Sequence, residues 1–189
     1  TISTVYMLFT SPRLVVINFL LMLSISNVAF SIEYRPHVHG HATLTIAIEK
    51  NNLELSLMAP TESLLGFEHK AKSQDEISQA IEMKKHLSRY SNVIQFIDGE
   101  CQIKNTKIDM GDILGSYDHS HLESSHQHTH HEIAVNYQLN CQNADSISDA
   151  DVLLFNQYKA LNKVTVMLVT SSRQSAMELD ASNTRITLN

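Results

Sequence analysis

From His37 to Lys50 the chain reads HVHGHATLTIAIEK and alternates strictly. Val38, Ala42, Leu44, Ile46 and Ile48 fall on one side; His37, His39, His41, Thr43, Thr45 and Glu49 fall on the other. A period of two is that of a half-buried β-strand. Asn51-Asn52 then predicts a turn, because asparagine tolerates positive φ. Leu53, Leu55 and Leu57 alternate again in a return strand, which Pro60 ends. Ser73-Gln-Asp-Glu76 has the capping-box pattern, and a helix is expected from there to about Tyr90. Its apolar stripe would be Ile77, Ala80, Ile81, Leu87 and Tyr90, with Lys84 and Lys85 toward solvent.

Further along, Cys101 to Met110 predicts a strand. Gly111 to His131 is polar and has no period, so it is expected to be an exposed, mobile loop. In Glu132 to Cys141, Ile133, Val135, Tyr137, Leu139 and Cys141 share one face. A short helix is expected within Asp149 to Leu161, carrying Leu153, Leu154 and Phe155. Val164 to Val169 and Gln174 to Leu179 predict a second hairpin, and Ile186 and Leu188 a last strand. The expected class is α+β: six or seven antiparallel strands in a sandwich-like core, two flanking helices and a His-rich loop.

The N-terminus reads as an address. Leu14 to Ile25 is an uncharged apolar run of twelve residues, short of the roughly twenty that span a bilayer. Arg13 precedes it and Ala29-Phe30-Ser31 follows, which is the layout of a secretory signal peptide at 1–31 cleaved after Ser31. Met7 would start a signal of ordinary length; an uncleaved N-terminal anchor is the alternative. Residues 32–189 would then form one domain that does not insert stably in a membrane. Export implies an oxidising compartment, so Cys101 and Cys141 are expected to form a disulfide, with two buried free thiols as the alternative.

Composition adds the chemistry. The 189 residues carry 14 Lys+Arg against 20 Asp+Glu, and the net charge of −6 argues against binding a nucleic-acid backbone. Without residues 1–31 the charge is −7, a balance that attracts divalent cations. Nine of the eleven histidines sit in two short windows. His37, His39 and His41 would line one strand face, where two imidazoles of an H-x-H unit can converge on one Zn²⁺. His119, His121, His126, His128, His130 and His131 crowd the loop with Asp118, Glu123 and Glu132. Short histidine-rich tracts are a metal-binding composition, and neutral imidazole suits Zn, Cu and Ni. The plainer readings are a solvated strand face and a polar spacer.

Enzymatic motifs are weak. His131-Glu132 lacks the second histidine of H-E-x-x-H and lies at the start of a strand, where that motif needs a helix. Glu68-His69 could be an acid–base pair or metal ligands. No G-x-S-x-G elbow and no glycine-rich phosphate loop is present.

The chain resembles the zinc-regulated periplasmic proteins of the ZrgA type found in Gram-negative bacteria. The residues that carry the likeness are His37-Val-His-Gly40 with Ala42 and Leu44, Pro60, and Leu65-Gly-Phe-Glu-His69. Cys101, the His-rich insert, Cys141, Leu154-Phe155 and Gln174 follow in order. Three places depart from the family pattern: Arg173 stands before Gln174 in place of glycine, Phe155-Asn-Gln-Tyr-Lys159 replaces Phe-x-x-Phe-Pro, and no proline follows Cys141. The resemblance implies a β-sandwich core, a periplasmic location and zinc acquisition alongside an inner-membrane importer. It places His37, His39, Glu68, His69 and the loop histidines at matching positions. The expected function is therefore zinc capture without bond chemistry. A copper or nickel binding module is one alternative, and a zinc hydrolase with an open coordination position another.

Overall fold

The computed structural model describes residues 38–115 and 132–188. The expected signal peptide at 1–31, His37 and the histidines of 119–131 lie outside the described residues.

Among the described residues, nine strands form two sheets. The larger contains β1 (His41–Glu49), β2 (Asn52–Pro60), β4 (Cys101–Asp109), β5 (Glu132–Cys141), β7 (Lys163–Val169) and β8 (Gln174–Leu179), in the order β4-β5-β2-β1-β7-β8. The smaller contains β3 (Ile94–Ile97), β6 (Asp149–Val152) and β9 (Arg185–Thr187), in the order β3-β6-β9. The helices are α1 (Thr61–Leu65), α2 (Gln74–Leu87) and α3 (Leu154–Gln157). The class is α+β, as the alternation predicts.

Alternation dictates which face of the large sheet is dry. Ala42, Leu44, Ile46 and Ile48 of β1 are buried, as are Leu53, Leu55, Leu57 and Ala59 of β2. Ile133, Val135, Tyr137, Leu139 and Cys141 of β5 join them, with Val164, Val166 and Leu168 of β7. Burying each leucine or isoleucine side chain is worth about 1.5–3 kcal/mol. The same core takes Ala80, Met83 and Leu87 from α2 and Ile94, Ala150, Val152 and Ile186 from the small sheet. Helix α2 starts at the expected capping box: Ser73 Oγ accepts from the Glu76 N–H at 3.2 Å, and Glu76 Oε2 accepts from the Ser73 N–H at 3.0 Å.

Several expectations are corrected. Strand β1 begins at His41, because Gly40 adopts φ +73°, a left-handed conformation that no strand propagates. His39 and His41 therefore do not share one strand face. β1 pairs antiparallel with β2 but parallel with β7, so the sheet is mixed. Parallel pairing needs a long crossover, and here the intervening chain builds β2, the helices, β4–β5 and two strands of the small sheet, β3 and β6. The β1–β2 turn falls at Lys50-Asn51, and it is Lys50 that takes positive φ, at +55°. In α2, Ile81 is 51% exposed while Met83 fills the core. Asp149–Val152 is strand, and only Leu154–Gln157 is helical. Gly111 does not open an exposed loop, since Met110 and Ile113 are both buried. His86 Nδ1 lies 3.0 Å from the Tyr158 hydroxyl, and burial lowers its pKa.

Cys101 and Cys141 face one another across β4 and β5 with Cα atoms 4.0 Å apart, and they form the expected disulfide. The bond closes a loop with a sequence separation of 40, which contains all of residues 116–131. Replacing both cysteines by alanine is expected to cost at most about 4 kcal/mol, by the chain-entropy relation. Urea unfolding of the variant against the oxidised protein measures it, and an unchanged midpoint would mean that β4–β5 pairing alone holds the loop ends.

Candidate metal centre

Gly40 and α1 build the site together. The Gly40 N–H donates to Ser63 Oγ at 2.9 Å in a buried contact, which pins the turn before β1 to α1. The Gly40 carbonyl accepts from the N–H groups of Asn162 at 2.7 Å and Lys163 at 3.0 Å, which ties the same peptide to the start of β7. A Cβ on Gly40 would press into the Asn162 side chain and lie 3.0 Å from the Ala160 carbonyl oxygen, so glycine is required for space as well as for φ. Held this way, the His39 ring meets two carboxylates. Its Nδ1 lies 2.7 Å from Glu62 Oε2 on α1 and 3.3 Å from Glu68 Oε1 in the segment that follows. Gly66 caps α1 at φ +81° and turns the chain so that Glu68 comes back toward His39.

One ligand atom from each of His39, Glu62 and Glu68 lies within 4.8 Å of the others. Zn²⁺ ligands at ~2.0–2.1 Å stand about 3.3 Å apart on a tetrahedron. The Glu68 contact already has that span, whereas the shorter His39–Glu62 hydrogen bond must open by about 0.6 Å to admit an ion. The hydrogen bond to Glu62 and the charges of Glu62 and then Glu68 raise the His39 pKa above its ordinary value. The pocket thus favours a cation, which is either the imidazolium proton or a metal ion that displaces it.

The other candidates divide. His41 does not join His39; its Nε2 meets Thr165 Oγ1 on β7 at 2.7 Å. Glu68 belongs to the centre, but the adjacent His69 faces Glu76 at 3.6 Å and does not enter it. Glu62 escaped sequence reasoning because Thr61-Glu-Ser63 follows a strand-ending proline and carries no motif. A cleft of about 630 Å³ lies near Glu49, Asn52 and Thr170, at the far end of β1, and gathers no histidine.

The ends of the His-rich segment bracket the site. On one side the Ala71 N–H donates to the Ile113 carbonyl at 2.9 Å, and Gly115 lies close against the Lys70 side chain. On the other, Glu132 pairs with Pro60, directly before α1. Residues 116–131 therefore leave and re-enter the described fold on either side of the stretch that carries Glu62, Glu68 and His69.

Among the described residues, the mixed-sheet α+β fold carries a disulfide and a surface His–carboxylate group that could hold a metal ion, and no helix is long and apolar enough to cross a membrane. Comparison with family models makes this specific: residues 36–188 match the model described as ZrgA family zinc uptake protein. The chain belongs to that family, and its role is zinc-related. Comparison with curated proteins returns no match.

Two measurements test this geometry. Ser63→Ala leaves the buried Gly40 N–H without its acceptor and is expected to cost about 1–3 kcal/mol in urea unfolding. In an NMR titration the same variant should return the His39 pKa toward 6.5; an unmoved pKa would show that the turn does not depend on Ser63. A raised folded-state pKa gives stability that is fully present below the unfolded value and is lost as pH rises through the folded value. The wild-type advantage over His39→Gln is therefore expected to be largest below about pH 6.5 and to fade at higher pH. An advantage that grows with pH would contradict it.

Proposed function

We propose that this protein is an exported, periplasmic zinc-binding protein that captures Zn²⁺ and supports its uptake. The observation that carries the reading is the convergence of His39, Glu62 and Glu68 in a member of a zinc uptake family. The three side chains form an ordered station for the ion. His37, two residues before His39 in the chain, is assigned as a further donor. His119, His121, His126, His128, His130 and His131 form a capture segment, and the described residues that flank it, Ile113 and Glu132, pair with Ala71 and Pro60, which stand on either side of Glu62 and Glu68 in the chain. Nothing in this cycle makes or breaks a covalent bond, and the protein acts as a carrier. The ion passes from it to an inner-membrane importer. Residues 1–31 supply the export signal, and the disulfide suits an oxidising compartment.

The donor set favours zinc over a softer cargo. One imidazole and two carboxylates form a nitrogen–oxygen set that holds Zn²⁺ well, while Cu(I) selects thiolate and thioether donors. Nickel and Cu²⁺ are separated by competition titration. Protons compete for the same imidazole, so the affinity for zinc falls as pH falls.

A titration of the full chain with Zn²⁺ at pH 7.5 and 5.5 tests the proposal. His39→Ala is expected to weaken the ordered site at least about tenfold, since even outer partners of a metal ligand contribute 10–100-fold. Deleting residues 119–131 should lower the number of ions bound and leave one ordered site. Binding that ignores both changes, or that is as tight at pH 5.5 as at 7.5, would overturn this reading.

A further inference from the structure

Consecutive residues Glu68 and His69 serve different neighbours. Glu68 turns to His39, and His69 turns to the first turn of α2. The His69 Nδ1–H donates to the Lys70 carbonyl at 3.0 Å, so that in the neutral ring the lone pair is on Nε2. That lone pair faces Glu76 Oε1 at 3.6 Å, beyond the ~2.7–3.2 Å of a hydrogen bond. The other oxygen of Glu76 is already committed, accepting from the N–H groups of Lys72 at 2.8 Å and Ser73 at 3.0 Å. These bonds hold the carboxyl ionised, with its pKa below the ordinary value. Phe67 stacks on the His69 ring at 5.1 Å, with 24° between the planes, and fixes its attitude.

Two acceptor atoms thus face each other across a span close to the ~3.3 Å between ligands of one tetrahedral zinc ion. Such a pair is held together by a cation between them, either a proton on Nε2, which makes the contact an ion pair, or a metal ion that displaces it. Both ligands are also braced from behind, His69 by a backbone carbonyl and Glu76 by backbone N–H groups, as metal ligands commonly are. We infer that His69 and Glu76 form a second, separate divalent-cation station for zinc, beside the His39 centre and independent of it. With two protein donors and both side chains open to solvent, at 53% and 26% exposure, water completes the coordination. The station is the weaker and faster-exchanging of the two, suited to passing an ion onward. Glu76 thereby has two roles: one oxygen caps α2, and the other holds metal.

The test is a ZnCl₂ titration of the full chain at pH 7.5, read at the imidazole ¹⁵N resonances of His69. The background is His39→Gln, which removes the first centre, with Glu62→Gln as a second such background. Glu76→Gln is the discriminating change, because glutamine at that position preserves the capping box while removing the carboxylate. His69 Nε2 is expected to shift with zinc in both backgrounds. Adding Glu76→Gln should raise the midpoint at least about tenfold, with little change in the thermal unfolding temperature. A His69 resonance unmoved by millimolar zinc, or a midpoint indifferent to Glu76→Gln, would overturn the inference. Loss of the His69 response on removing His39 alone would also overturn it, by assigning His69 to the first centre. Failure of that first centre is read separately, at His39 Nδ1 in the wild-type protein.

Discussion

A single peptide unit, at Gly40, joins the parts that matter. Its N–H goes to Ser63 on α1 and its carbonyl to the first N–H groups of β7. With φ at +73° it also ends the turn that carries His39 and starts the central strand β1. Both polar groups of a buried backbone are therefore satisfied in a way that fixes three elements at once. A side chain at Gly40 would break this joint through its φ and through its contact with Asn162 and Ala160. The parallel β1–β7 pairing and the approach of His39 to Glu62 both depend on that joint.

From this joint the zinc chemistry follows by short steps. Pro60 closes β2, and α1 occupies a single turn and a half before Gly66 reverses the chain. The stretch from Glu62 to Glu76 then offers carboxylates and an imidazole to two neighbours in succession. His39 takes Glu62 and Glu68; Glu76, at the head of α2, faces His69. The ends of residues 116–131 lie on either side, tied by Ile113 to Ala71 and by Glu132 to Pro60. The disulfide between β4 and β5 closes that segment at its far end.

Much of the fold was legible because its signals are local. The alternation in β1, β2, β5 and β7, and the Ser73–Glu76 capping box, are properties of neighbouring residues, and each formed where the pattern places it. The errors have separate causes. His37, His39 and His41 alternate on paper as well as Leu44 and Ile46 do, but Gly40 permits a conformation that period counting does not register. Ile81 and Met83 exchange roles because a helix with a weak stripe takes its orientation from what it packs against. The small sheet went partly unseen because β3 and β6 are four residues each, too short to display a period.

By itself the sequence determined the α+β class, the pairing of the two cysteines, the capping of α2 and the presence of zinc-type chemistry in a resemblance carried by named motifs. Each of these rests on residue type and spacing along the chain. Tertiary structure alone decided which donors meet. Glu62 entered the centre without a motif, His41 left it for Thr165, and His69 turned to Glu76. The physical reason is that ligation depends on distances of a few ångströms between side chains, which spacing along the chain does not fix. Those distances are set by one left-handed glycine and the hydrogen bonds on either side of it, and periodicity carries no record of them.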